Sequence, residues 1–157
     1  MRPLNLFIIA LTMYGLGWYM QSIQENDFQF GIDSLLFFLL VFSTVLIAAA
    51  GNIINDYFDV KADRINKPER LIIGTHIKRR VAIITHWGFN LIAFSIAVVL
   101  SWKLNTFWYM FIHLLSINVL WIYSSNFKRK FLIGNVSIAI LTALIPLIVG
   151  LFFQQQS

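Results

Sequence analysis

The chain has 157 residues, of which 59% are hydrophobic and 12% charged, with a mean hydropathy of +0.75 and a net charge of +5. Such a small charged fraction could not cover the surface of a water-soluble domain, so the composition predicts an integral membrane protein. Cysteine is absent, which excludes disulfides, thiolate catalysis and cysteine-based zinc sites. The positive charge does not indicate nucleic-acid binding, because the basic residues lie in short segments beside apolar runs.

Five apolar segments are long enough to cross a bilayer as helices, which takes about 20 residues each. They lie near Leu4–Met20, Leu35–Asn55, Val81–Trp102, Thr106–Ser124 and Phe131–Phe153. No segment repeats another, and no low-complexity linker separates them. We therefore predict an all-α, multi-pass transmembrane helical bundle that forms one membrane-embedded domain over residues 1–157.

The basic residues predict how the bundle is oriented. Arg2 precedes the first apolar segment as in a signal peptide, but no small-residue cleavage site follows, so we predict a retained first helix. Eleven of the twelve Lys and Arg residues, at positions 2, 61–70, 78–80 and 128–130, fall on one side, and only Lys103 falls on the other. By the positive-inside rule, the N-terminus and the segment after the second span are cytoplasmic in a protein of the cell (inner) membrane.

The second span ends in a polar stretch with a helical pattern. It contains Asn52, Asn55, Asp56, Asp59 and Asp63, which fall within an arc of about 100° when placed on a helix. Carboxylates stacked in this way repel one another unless something offsets their charge. Oxygen ligands without neighbouring His or Cys favour a hard cation, Mg²⁺ before Ca²⁺ or Mn²⁺.

Basic residues follow these carboxylates at once, namely Lys61, Arg64, Lys67 and Arg70. Carboxylates that hold a metal beside cations that pair with phosphate oxygens have the composition of a metal–diphosphate site. The alternative is that these charges are solvated at the end of a helix and paired with one another. Ionisable residues next to a membrane span favour the functional interpretation.

The stretch also resembles a known motif. The residues Asn55-Asp56-Tyr57-Phe58-Asp59 with Asp63, followed by Asn66-Lys67-Pro68-Glu69-Arg70, are similar to the first aspartate-rich motif of the UbiA superfamily of intramembrane prenyltransferases. The similarity is greatest to the branch that includes the digeranylgeranylglyceryl phosphate synthases. Weaker similarity extends it over essentially the whole chain, at Arg2-Pro3-Leu4-Asn5 and at Tyr123-Ser124 with Lys128-Arg129.

This resemblance implies Mg²⁺-dependent transfer of an isoprenyl group from a prenyl diphosphate, here geranylgeranyl diphosphate, to a membrane-associated acceptor. The acceptor would be a glycerol-phosphate lipid or an aromatic quinone precursor, and the prenyl chain would lie in an apolar tunnel among the helices. By position, the catalytic carboxylates would be Asp59 and Asp63, and the metal ligands Asn55, Asp56, Asp59 and Asp63. The diphosphate would contact Asn52, Lys67, Arg70, Tyr123 and Lys128.

The chain departs from the family pattern in two ways. Arg70 is followed by Leu71 rather than by proline, and no Asp or Glu follows Glu69. Family members have a bundle of about nine membrane helices with a second aspartate-rich motif. We therefore expect this chain to represent the first half of such a fold, with the C-terminal half as a possible partner.

Two other functions remain open from the sequence. A CDP-alcohol phosphotransferase-like enzyme also carries Asp-x-x-x-Asp on a membrane helix, although the Asp-Gly and Ala-Arg of its longer pattern are absent here. A non-catalytic membrane interaction protein, or an inactive half-enzyme, is the other alternative. The polar residues His86, Asn90, His113 and Asn118 are predicted to hydrogen-bond between helices rather than to bind metal.

Overall fold

The computed structural model describes residues 3–24, 32–66, 72–127 and 131–155, with only the backbone described at positions 3, 24, 32, 61–63, 66, 127 and 131. It contains five α-helices: α1 Pro3–Gln24, α2 Ile32–Asn66, α3 Arg79–Lys103, α4 Trp108–Ile122 and α5 Phe131–Gln154. A π-helix, Tyr123–Phe127, continues α4 directly and is called the π-turn below. Within the described ranges the only β-type pairing is an isolated bridge between Ile73 and Ile77, so the all-α prediction is confirmed.

The helices are those of a multi-pass membrane protein. Among the described residues, four are long and apolar enough to span a bilayer: α1, α2, α3 and α5. α4 has 15 residues, but the π-turn extends its helical segment to residue 127. Four of the five predicted spans lie within α1, α2, α3 and α5, and the fourth in chain order, Thr106–Ser124, begins two residues before α4 and ends in the π-turn.

α2 extends beyond the apolar segment that ends near Asn55 and runs to Asn66, through the polar stretch whose spacing indicated a helix. Its 35 residues make a rod of about 52 Å, against a hydrocarbon core of about 30 Å. Charged residues at its end lower the hydropathy without interrupting the helix. The aspartate-rich end of α2 therefore extends beyond the depth that hydrocarbon can cover.

The main hydrophobic core lies in the half of the bundle away from the aspartate-rich end. Each helix contributes a fully buried side chain to it: Met13, Leu40, Leu100, Tyr109 and Phe152. Lipid is as apolar as these side chains, so close packing rather than water exclusion has to hold the helices together. This half of the bundle is therefore the closely packed part of the described structure.

Residues 72–78, which precede α3, pack against the aspartate-rich end of the bundle. Ile73 is buried there in a small cluster with Ile53, Val60 and Ala82. Gly74 makes the turn possible, since its φ of +95° lies in the left-handed region that side chains disfavour. Its backbone N–H donates to the Ile77 carbonyl at 2.7 Å. The turn thereby fixes the end of α2 against the start of α3.

A buried histidine joins α3 to α2. The Nδ1 atom of His86 lies 2.9 Å from the Ala50 carbonyl oxygen, and because a carbonyl only accepts, Nδ1 carries the proton. The free Nε2 then accepts a hydrogen bond from Asn90 Nδ2 at 3.1 Å. The predicted interhelical hydrogen bond is confirmed for His86 and is wrong for Asn90, whose Nδ2 bonds to His86 on its own helix.

A second histidine joins α4 to α2, where His113 Nε2 lies 2.8 Å from Ser43 Oγ. This contact also confirms an interhelical role. The prediction is wrong for Asn118, whose Nδ2 donates to the Leu114 carbonyl of its own helix at 2.7 Å. Asn118 is exposed on α4.

Candidate active site

A cavity of about 750 Å³ lies among α1, α2, α4, the π-turn and α5, next to the aspartate-rich half of α2. Most of its wall is apolar, with leucine and isoleucine side chains from α1, α2, α4 and α5. Five polar residues, here called the polar end, come from the start of α1, from α2 and from the π-turn: Asn5, Asn52, Asn55, Tyr123 and Ser124. The cavity therefore suits an amphiphile with a polar head and an apolar tail.

The cavity extends well below its polar end. Along α2 its lining runs from Asn55 back to Thr44, eleven residues or about 16 Å of helix. The few polar groups at depth include Thr44 and Thr142, whose hydroxyls donate to carbonyls of their own helices at 2.9 Å. These hydroxyls are already satisfied, so the deep part of the cavity offers mainly apolar contact.

The structure brings together three of the residues singled out in the sequence. Asn52, Asn55 and Tyr123 all line the polar end of the cavity, although they come from two separate helical segments. Asp56 and Asp59 are half-buried on α2 outside the cavity lining, and both have interaction partners. Asp59 lies one turn beyond Asn55 on the same helix face, as the spacing requires.

The remaining predicted residues cannot be placed in the same way. Asp63 lies on the helical backbone of α2, but its side chain is outside the described part of the structure. Lys67, Arg70 and Lys128 also lie outside the described residues. Their roles stay predictions.

Two polar atoms at the polar end are buried without a hydrogen-bond partner: Asn55 Oδ1 and Ser124 Oγ. Leaving such an atom unsatisfied costs about 1–3 kcal/mol, so a ligand that bonds it would bind more tightly. An amide oxygen is a suitable ligand for a hard cation. Among the described residues, no three His, Asp or Glu side chains lie close enough together to hold a metal ion. Asn55 and the neighbouring carboxylates of α2 nevertheless supply oxygen ligands of the type that Mg²⁺ accepts.

A close helix contact sets the width of the cavity near its polar end. A Cβ atom built on Gly51 would lie 3.0 Å from both methyl carbons of Leu120, which also lines the cavity. Gly51 directly follows Ala50, whose carbonyl accepts the His86 hydrogen bond. The wall that carries Asn52 and Asn55 is therefore held from behind by α3 and from the side by α4.

Aromatic rings connect α2, α3 and α4 outside the cavity. Phe58 packs on Tyr57 at 5.4 Å and on Trp121 at 5.8 Å, between ring centres, and Trp121 lies 5.5 Å from Trp87. The guanidinium carbon of Arg79 lies 4.7 Å from the centre of the Tyr57 ring, a cation–π contact. These contacts fix Tyr57 on the face of α2 opposite Asn55 and Phe58 on the face beside Asn55.

Of the wall opposite α2, only Tyr123 was predicted from the sequence as a site residue. Asn5 and Thr12 lie seven residues apart on α1, which places them on one helix face. Ser116, Leu120 and Tyr123 repeat at spacings of four and three along α4 and the π-turn. Helical spacing of small polar residues within apolar spans was the available signal for this wall.

Comparison with known proteins identifies relatives of the chain. The family described as the UbiA prenyltransferase family matches residues 8–157. The chain is 36% identical over 118 residues to a digeranylgeranylglyceryl phosphate synthase of Thermococcus kodakarensis, covering 74% of this chain and 41% of that protein. It is 37% identical over 118 residues to the protein of the same name from Methanosarcina mazei, covering 75% and 38%.

One solved structure is similar over nearly the whole chain. It is described as concerning digeranylgeranylglyceryl phosphate synthase in membranes, and the match has a TM-score of 0.76 and 29% sequence identity. The match covers 94% of this chain and 49% of that one. The chain therefore spans less than half the length of each of these relatives.

Proposed function

Because the chain belongs to the UbiA prenyltransferase family, we propose that it carries the donor site for transfer of a geranylgeranyl group from geranylgeranyl diphosphate to a glycerol-phosphate lipid. The observation that carries this proposal is the cavity, which combines an apolar interior with a polar end next to the carboxylates of α2. The relatives' name denotes a glyceryl phosphate with two geranylgeranyl groups. An acceptor that already carries one such group is accordingly favoured over an aromatic quinone precursor.

The polar end and the apolar wall have separate tasks in this reaction. Asn52 and Tyr123 hold the diphosphate at the polar end, where Lys67, Arg70 and Lys128 pair with its oxygens. The apolar wall surrounds the prenyl tail and keeps water away from the allylic carbon. The bond from that carbon to the bridging oxygen breaks and diphosphate leaves with the bonding electrons. The acceptor oxygen bonds to the carbon, and the proton of the acceptor hydroxyl passes to the departing diphosphate.

The oxygen-rich face of α2 would hold a divalent cation, Mg²⁺, through Asn55, Asp56, Asp59 and Asp63. The unpartnered Oδ1 of Asn55 supports this assignment. When bound, the cation neutralises the negative charge that develops on the departing diphosphate. Asp59 and Asp63 keep this face of α2 negative, so that it attracts cations from the aqueous side of the membrane.

We further propose that the aspartate-rich end of α2 faces the cytoplasm. The eleven-to-one distribution of Lys and Arg supports this orientation. The length of α2 is compatible with it, since the helix is long enough to hold its last turns outside the hydrocarbon.

The test uses the chain purified into lipid nanodiscs, with radiolabelled geranylgeranyl diphosphate, Mg²⁺ and a glyceryl phosphate that carries one geranylgeranyl group. Asp59→Asn and Asp63→Asn should each lower transfer by roughly a hundredfold or more. Each removes a carboxylate that would help to hold the Mg²⁺ that neutralises the departing diphosphate. Asp33→Asn is the matched control, since Asp33 lies in the first turn of α2, at the opposite end. Full activity in both Asp59 and Asp63 variants would refute the metal assignment.

The same preparation distinguishes the rival functions. Release of CMP from a CDP-alcohol, with no use of geranylgeranyl diphosphate, would support a phosphotransferase instead. A folded chain that neither binds geranylgeranyl diphosphate nor transfers the prenyl group would support a membrane interaction protein. Binding that is abolished by EDTA and restored by Mg²⁺ would support the prenyltransferase.

A further inference from the structure

Among the described residues, Ser124 is the only serine or threonine whose hydroxyl oxygen is buried without a hydrogen-bond partner. A serine or threonine within a helix commonly donates to a carbonyl three or four residues earlier. Ser95, Ser125 and Ser137 do so, at 2.8, 3.2 and 2.8 Å. Ser124 is only 6% exposed, yet its Oγ has no partner among the described residues. Its hydroxyl is therefore available to a ligand.

The π-turn places Ser124 where a ligand can use that hydroxyl. Ser124 is the second residue of the π-turn and lines the polar end of the cavity beside Tyr123. A π-turn contains an extra residue relative to an α-helix, which changes the direction of the side chains within it, and such turns are frequent at functional sites. The neighbouring Ser125 remains bonded to Ile122 of its own helix and is absent from the cavity lining.

We propose that the Ser124 hydroxyl donates a hydrogen bond to a phosphate oxygen of the ligand bound at the polar end. This inference rests on the proposed function, which supplies a phosphate-bearing ligand. The polar end otherwise presents amide and phenol groups, whereas the tail of an amphiphile would occupy the apolar interior. A hydroxyl donor is complementary to an anionic oxygen, and such a charge-assisted bond is stronger than one between neutral groups.

The experiment compares Ser124→Ala with Ser125→Ala, which removes the adjacent hydroxyl outside the cavity. Binding to the chain in nanodiscs is measured with Mg²⁺ for three probes: geranylgeranyl diphosphate, the glyceryl phosphate with one geranylgeranyl group, and geranylgeraniol, which lacks phosphate. Ser124→Ala should weaken binding of one or both phosphate-bearing probes by roughly tenfold to a hundredfold and leave geranylgeraniol unchanged. The probe that loses affinity identifies the donor or the acceptor as the source of the phosphate.

Two further measurements separate this role from a structural one. Ser124→Thr keeps the hydroxyl and should retain most of the affinity for the phosphate-bearing probes. Without ligand, the unfolding midpoint of Ser124→Ala should equal that of the unsubstituted chain or exceed it, because no internal hydrogen bond is lost. A lower midpoint together with equal losses for all three probes would overturn the proposal.

The outcomes also separate this inference from the proposed function. If the unsubstituted chain binds the phosphate-bearing probes and Ser124→Ala binds them as Ser125→Ala does, the Ser124 assignment alone is wrong. If the folded, unsubstituted chain binds neither phosphate-bearing probe, the proposed function fails and the Ser124 assignment fails with it.

Discussion

Replacing Gly17 by alanine should loosen the contact between α1 and the rest of the bundle. A Cβ atom at Gly17 would lie 2.7 Å from Phe37 Cζ and 3.5 Å from Phe153 Cε2. The first distance is 0.7 Å short of the 3.4 Å at which ordinary van der Waals contact begins. Either the Phe37 ring or the whole of α1 has to move by about that amount.

The surroundings of Phe37 decide which of the two moves. Its ring is 6% exposed and packs against Tyr14, Phe152 and Phe153 with centre-to-centre distances of 5.5, 5.2 and 5.7 Å. A ring held on three sides cannot rotate away without opening a void. Overpacking a site of this kind costs about 1–3 kcal/mol, and alanine recovers up to about 1 kcal/mol over glycine in a helix. We expect a net loss of about 1–2 kcal/mol in the free energy of unfolding.

The measurement is an unfolding titration with SDS in mixed micelles, followed by tryptophan fluorescence. Gly15→Ala is the matched control, because it lies on the same helix and a Cβ atom there would have nothing within 4 Å. That variant should unfold at the same SDS fraction as the unsubstituted chain or at a higher one. Equal stabilities for Gly17→Ala and Gly15→Ala would refute the packing described for α1.

Two further substitutions test how the cavity wall is held. His86→Phe removes the donor to the Ala50 carbonyl and should lower the free energy of unfolding by about 1–2 kcal/mol in the same SDS titration. Asn118→Leu is the comparison: it breaks only a hydrogen bond within its own helix and should lower the free energy of unfolding by less. Gly51→Ala should push the Leu120 side chain into the cavity and weaken binding of geranylgeraniol severalfold, with little change in stability. Unchanged geranylgeraniol affinity in Gly51→Ala would mean that this part of the wall does not touch the tail.

The helices could be predicted from the sequence because the bilayer leaves a membrane segment few alternatives. A backbone in hydrocarbon has to satisfy its own hydrogen bonds, so each apolar run of sufficient length becomes a helix. Hydropathy alone does not locate the end of α2, and the helical spacing of the polar residues was needed to predict that the helix continues. The apolar segment ends at Asn55, although the helix continues to Asn66 through residues with ordinary helix propensity.

The candidate site was predictable on the helix that carries the motif and, through the family resemblance, at Tyr123. Helical spacing placed Asn52 and Asn55 on one face, and both line the cavity. The π-turn and Ser124 could not be anticipated, because a π-helix depends on how α4 packs rather than on its local sequence. The contact of Gly51 with Leu120 likewise joins residues far apart in the chain, and one sequence gives no register between them.

The packing of Trp121 gives the molecule an internal optical reporter. Its indole ring lies 5.5 Å from that of Trp87 and 5.4 Å from the His86 ring, between α3 and α4. Two indoles at this separation couple their electronic transitions, so the near-ultraviolet circular dichroism of the protein depends on the α3–α4 geometry. Trp121 directly follows Leu120, which lines the cavity, and a molecule that displaces this wall would change the signal without any label.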